Sequence, residues 1–146
     1  LVLTRLFDIP ADRLYRCWTE PALIQQWFAP SPWSVARVDN DVRPGGHSLI
    51  VMRSPEGQEM PGSGVYLEVI PNRRLVFTDA FTQGWVPADK PFMTGIVTFD
   101  PEGSQTRYTA RVRHWNAADR AQHEAMGFHS GWGQCADQLA ELAARL

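Results

Sequence analysis

The chain has 146 residues, 44% of them hydrophobic and 21% charged, with a formal net charge of −2. That length suits one domain with a single core, the composition argues against a disordered chain, and mixed charge without a basic stripe argues against nucleic acid as a partner. No apolar run approaches the ~20 residues that span a bilayer.

Residues 1–8 alternate as a strand. Asp8-Ile9-Pro10-Ala11 opens a short helix, where a proline near the first turn removes an N–H that would be unpaired anyway. Leu14, Cys17 and Trp18 recur at helical spacing, and Thr19-Glu20-Pro21 starts a second helix with Leu23, Ile24, Trp27 and Phe28 on one side. Pro30 and Pro32 end it. Strands are expected at 35–38, 47–53, 64–70 and 74–81, separated by turns at Arg43-Pro44-Gly45-Gly46, Ser54-Pro55-Glu56-Gly57 and Pro71-Asn72-Arg73. A terminal hairpin joins 94–99 to 106–114. In its second strand Arg107, Thr109, Arg111 and Arg113 alternate with Tyr108, Ala110, Val112 and His114, which puts the second set inside.

From Asn116 onward the period becomes helical. Phe128, Trp132, Cys135, Leu139, Leu142 and Leu146 share one face. Asn116 is the expected N-cap, and one mainly helical segment is expected over about 117–145 with Trp132 buried. Gly127, Gly131 and Gly133 each cost about 1 kcal/mol of helix propensity against Ala, so they predict a kink, close packing or open space.

The order strand, two helices, about six strands, long helix resembles the helix-grip fold of the START-like, or SRPBCC, superfamily. The finer resemblance is to the family named after the activator of heat-shock protein 90 ATPase. It rests on Phe7-Asp8-Ile9-Pro10-Ala11, Trp18-Thr19-Glu20-Pro21, Trp27-Phe28, Asp41-Val42-Arg43-Pro44-Gly45-Gly46, Gly64-Val65-Tyr66-Leu67-Glu68-Val69-Ile70-Pro71, Leu75-Val76-Phe77-Thr78, and Gly131-Trp132 with Leu139-Ala140. The resemblance implies an α+β, birch-pollen-allergen-like fold over residues 1–146, with a curved antiparallel sheet around a long C-terminal helix. It also implies that Tyr108, Ala110, Val112 and His114 face that helix. Ser48, Ile50 and Met52, and with them Tyr66 and Glu68, are expected to face the same way. Since fold does not give function, activity must be argued from the site.

His114 is the first candidate for chemistry, because histidine titrates near neutral pH; the competing reading is a buried histidine satisfied by a neighbour. Glu68, if inward, needs a partner and becomes a candidate base; the competing reading is a surface ion pair. Asp79 has the same two readings. His129 is expected at the solvent boundary and His123 on the solvated surface. The histidines lack metal-ligand spacing and no paired cysteine motif exists, so neither a metal nor a cofactor is expected. Cys17 and Cys135 lie in apolar helical patterns and are expected as free thiols. The start of the chain lacks a signal-peptide pattern, and a reducing, cytoplasmic location follows.

Three readings compete. The first is a binding domain whose pocket, lined by Met52, Tyr66, Tyr108, His114, Met126 and Trp132, holds a small hydrophobic ligand. Ser48 and Ala110 are small where a packed core prefers larger groups, which favours that pocket. The second is a polyketide cyclase-like or hydratase-like enzyme using His114 or Glu68. The third is a stimulator of a chaperone ATPase, with a chaperone as partner. Exposed strand edges also admit a homodimer.

Overall fold

The computed structural model describes residues 1–146. Strand β1 (Val2–Phe7) leads into helices α1 (Ala11–Thr19) and α2 (Pro21–Ile24). Strands β2 (Ser34–Asn40), β3 (His47–Arg53), β4 (Glu59–Ile70) and β5 (Arg74–Thr78) follow. A small hairpin of β6 (Phe81–Thr82) and β7 (Val86–Pro87) precedes the long hairpin β8 (Met93–Glu102) and β9 (Gln105–His114). Helices α3 (Ala117–Ala125) and α4 (Phe128–Ala144) close the chain. The fold is α+β, with a seven-stranded antiparallel sheet in the order β1-β9-β8-β5-β4-β3-β2. Phe128, Ala136, Leu139, Leu142 and Ala143 of α4 share one core with Val97, Phe99, Tyr108, Ala110 and Val112 of β8 and β9. This is the helix-grip arrangement.

Three departures from the sequence expectation bear on the site. Strand β4 begins at Glu59 rather than 64, because its first half pairs with β3 (Arg53↔Glu59 to His47↔Val65) and its second half with β5. Pro61, Gly62 and Gly64 hide that first half from any propensity argument. Gly64 is required there, since a Cβ would run into the Thr78 carbonyl oxygen of β5. The strand expected at 74–81 stops at Thr78, where Asp79 turns the chain and its carboxylate accepts hydrogen bonds from the Phe92 and Met93 backbone N–H groups at 2.9–3.1 Å.

The third departure is the last helix. It is broken rather than continuous: Gly127 takes φ +94, and α4 restarts at Phe128. Asn116 does cap α3, accepting from the Asp119 N–H at 2.8 Å. The two halves therefore have independent helical phases, and a stripe extrapolated across Gly127 places α3 side chains wrongly.

One side chain fixes α4 to the loop after α2. Gln138 donates to the carbonyls of Trp27 and Ala29, both at 2.8 Å, and its Oε1 accepts from the Ser31 N–H at 3.1 Å. These bonds hold Trp27 and Phe28 over α4.

Candidate functional site: a two-lobed cavity

The Pro44-Gly45-Gly46 turn is part of the site's scaffold. Gly45 N–H donates to the Tyr66 carbonyl at 2.7 Å and Tyr66 N–H donates to the Gly46 carbonyl at 2.9 Å. Gly46 must be glycine, because a Cβ would collide with the Asp41 and Arg43 carbonyls. The turn so clamps Tyr66, whose hydroxyl accepts from Asn40 Nδ2 at 3.2 Å. Burial raises the Tyr66 phenol above its ordinary value despite the Asn40 and Ser48 hydrogen bonds, so it stays neutral.

Tyr66 lines the first lobe, a cavity of about 320 Å³ between β3, β4, β5, Trp18 of α1, Ile24 of α2 and Phe28 of the loop that follows. Ser48, Ile50 and Met52 enter it from β3, and Gly62, Ser63 and Gly64 from the first half of β4. The second lobe, about 300 Å³, lies under α3 and α4 and is lined by Tyr108, His123, Met126, Phe128, Gly131 and Trp132 among others. Trp18, Phe28 and Met52 border both lobes, so they form the partition between two adjoining spaces. A Cβ at Gly131 would meet nothing within 4 Å. Of the three helix glycines, this one leaves open space. Gly133 instead lets Arg5 of β1 approach, and Gly127 supplies the break.

The expected pocket residues divide between the lobes. Met52 and Tyr66 line the first; Met52, Tyr108, Met126 and Trp132 line the second. Met126 sits at the rim, 69% exposed. Trp132 is only half-buried, because its ring forms cavity wall rather than core. Ala110 is fully buried within the core and is not cavity lining.

Glu68 does not point inward. The register shifts between Tyr66 and Glu68, a β-bulge that sends Glu68 to the surface side. There it is 45% exposed and pairs with Arg74 at 3.1 Å. No general base is available from it. Asp79 lines the first lobe but is committed to the backbone of Phe92 and Met93.

The histidines are rearranged most. His123 is not solvated surface: it is 8% exposed and lines the second lobe. Its Nδ1 hydrogen-bonds the Nε2 of His114 at 2.9 Å, one ring donating and the other accepting. Phe92 and Phe128 pack on the His123 ring at 5.1 and 5.2 Å between centroids. His114 stands behind His123 and touches the cavity only through it. His129 lies at the surface, 3.6 Å from Glu124. No group of three His, Cys, Asp or Glu side chains is disposed to hold a metal ion.

Both members of the pair have lowered pKa values. Burial is the largest cause for each; His114 further lowers His123, while Asp119 opposes the shift at His114. A histidine lowered in the folded state binds fewer protons than its unfolded counterpart. Stability should therefore hold above the ordinary value of about 6.5 and fall as pH drops below it. Melting temperature followed against pH should show that acid loss, and His123→Phe, which keeps the ring shape, should flatten it. An unchanged acid limb in H123F would contradict the assignment.

Cys17 and Cys135 are free thiols, and burial pushes each up to about 11, so neither is a nucleophile at neutral pH. No helix is long and apolar enough to cross a membrane.

Comparison with known proteins fits this architecture. The profile of the family described as Activator of Hsp90 ATPase homolog 1-like protein matches residues 8–144. A crystal structure of a protein from Nitrosomonas europaea is 42% identical, covers 99% of this chain and 94% of its own, and superposes with a TM-score of 0.96. A protein from Mycobacterium smegmatis is 25% identical with a TM-score of 0.81, over 97% of this chain and 88% of its own. CalU16 from Micromonospora echinospora, 20% identical over 97% of this chain and 74% of its own, shares the fold at a TM-score of 0.66. No curated protein matches the sequence. With the family profile spanning nearly the whole chain, from the end of β1 to the end of α4, the chain belongs to the Activator of Hsp90 ATPase homolog 1-like family.

Proposed function

We propose that this domain binds a small apolar or aromatic molecule in the two-lobed cavity, in a reducing, cytoplasmic setting. The observation that supports this most is the cavity itself. Protein interiors are close-packed, and unfilled space forfeits dispersion contacts. Here two adjoining spaces of about 320 and 300 Å³ persist, the second under a helix that carries glycine where an alanine would fit. Their size lies at the lower end of small-molecule sites, and mostly apolar walls with a few polar groups are the usual composition of such sites.

The test is thermal unfolding with a panel of bicyclic aromatic compounds. Binding to the folded state alone raises the melting temperature by mass action. Gly131→Leu places a side chain in the second lobe and should remove the shift for compounds held there. Gly131→Ala is the folding control. It adds helix propensity where nothing obstructs the new methyl, so it should stabilise by about 1 kcal/mol. A panel that produces no shift in the unmodified protein would count against the reading, and shifts that all survive in G131L would count against the second lobe as the site.

A second reading, a cyclase-like or hydratase-like enzyme, draws on the His114–His123 pair in the wall of the second lobe. A neutral histidine backed by a second is suited to proton transfer. Loss of turnover in H123F with ligand affinity retained would favour this reading over simple binding. The family description names activation of a chaperone ATPase, and a chaperone would be the partner under that third reading.

A further inference from the structure

The second lobe contains a polar feature that packing alone does not explain. Trp18 is 6% exposed, and its indole Nε1 is the one buried side-chain nitrogen or oxygen without a hydrogen-bond partner. Buried polar atoms are nearly always paired, so an exception calls for a cause. The indole N–H lies beside the Tyr108 hydroxyl, near enough to favour its ionised form, without completing a hydrogen bond to it. Tyr108 is 2% exposed, lines the second lobe, and burial raises its pKa. The hydroxyl therefore keeps its proton and remains a donor.

Two donors thus stand together in the wall of a mostly apolar space. The residues around them are Trp27, Phe28, Phe128 and Trp132. Cys135, the nearest alternative polar group on α4, donates its thiol to the Phe28 carbonyl. Apart from the Tyr108 oxygen, which the Trp18 N–H approaches without a complete bond, neither donor has an acceptor.

We infer that the second lobe recognises a compact aromatic carbonyl compound, a ketone, lactone or quinone, whose carbonyl oxygen accepts a hydrogen bond from the Tyr108 hydroxyl with the Trp18 indole N–H reinforcing it. The inference rests on the reading of the cavity as a binding site and adds the chemical class of its occupant. A carbonyl is favoured over a hydroxyl because the wall offers donors, and the oxygen of a ketone has two lone pairs to receive them. The aromatic body is favoured because the flanking rings offer faces and edges for it. His123 of α3 lines the same lobe and has a ring nitrogen left over after pairing with His114.

The test compares α-tetralone with tetralin, a matched pair differing by the one carbonyl. In the unmodified protein α-tetralone should bind about tenfold more tightly, the worth of a hydrogen bond to a buried donor that is otherwise unpaired. Its carbonyl stretch should move to lower frequency in the infrared spectrum of the complex. Tyr108→Phe removes the donor with little change of shape. It should bring the two affinities together and return the stretch towards its value in an apolar solvent. Because the deleted hydroxyl makes no complete hydrogen bond in the protein, Y108F should fold, and its tetralin affinity verifies an intact cavity. Equal binding of both compounds to the unmodified protein would overturn the carbonyl assignment while leaving the apolar cavity standing. A preference and a shifted stretch that persist in Y108F would overturn the role of Tyr108. Failure of both compounds to bind would overturn this inference together with the function it rests on.

Discussion

Trp27→Ala should destabilise the protein by about 3–5 kcal/mol, the cost of deleting a large aromatic from a packed site. Trp27 is 3% exposed and makes edge contacts with Trp18 and Phe28, at centroid separations of 5.0 and 5.3 Å. Its indole also does something an aliphatic residue cannot. The Cys17 carbonyl lies in the last turn of α1, where the natural helical donor would be the N–H of the residue four positions on. That residue is Pro21, which has none. Trp27 Nε1 donates to this carbonyl at 2.8 Å instead. Trp27→Phe should consequently cost about 1–3 kcal/mol by leaving a buried acceptor unpaired. Denaturant titration of both variants checks the account. A loss below about 1 kcal/mol in W27A would show that the α1–α2 corner is not packed as described.

Phe128→Ala should cost a similar amount, about 3–5 kcal/mol, and should also disturb the histidine pair. Phe128 is 1% exposed and begins α4 immediately after the left-handed Gly127. Its ring contacts Trp132 at 5.2 Å and His123 at 5.2 Å, so it joins the two helix segments across their break. Without it α3 loses its main apolar contact with α4. His123 should become better hydrated, and its pKa should rise towards the ordinary value, since burial is the main cause of its depression. Histidine titration by NMR reads that change separately from the loss of stability. A destabilised F128A with the His123 titration unaltered would mean that α3 is held by other contacts.

Much of the fold is legible in residues with a clean period. The alternation of Tyr108, Ala110 and Val112 against Arg111 and Arg113 gives the correct inner face of β9, because a hairpin strand with one wet face has no freedom to do otherwise. The order of elements and the Gly45-Gly46 turn suffice for the family. The site is less legible, and for local reasons. A single bulge after Tyr66 reverses the facing of Glu68, and no pattern of two anticipates a bulge. Gly127 resets the helical phase, so His123, flanked by Gln122 and Glu124, passes for surface although it lines the second lobe. The glycines and proline of β4 conceal the strand that floors the first lobe. The unpaired indole of Trp18 has no sequence signature, since a missing partner is a property of the surroundings.

The division of the cavity by Trp18, Phe28 and Met52 bears on what it accepts. Met52 has an unbranched, adaptable side chain and stands between the lobes. Under the proposed function a small ligand would occupy one lobe, and a longer one would require Met52 to change rotamer. Each lobe has its own tyrosine hydroxyl, that of Tyr66, bonded to Asn40, in the first and that of Tyr108, beside Trp18, in the second.

The claim that the second lobe of the cavity is a binding site is tested most directly by calorimetric titration of the unmodified protein and of G131L with tetralin at several temperatures. Burial of apolar surface gives a negative heat-capacity change on binding. The account predicts saturable binding with that signature in the unmodified protein and its loss in a folded G131L. Absence of binding in the unmodified protein, or the same binding in G131L, would contradict it.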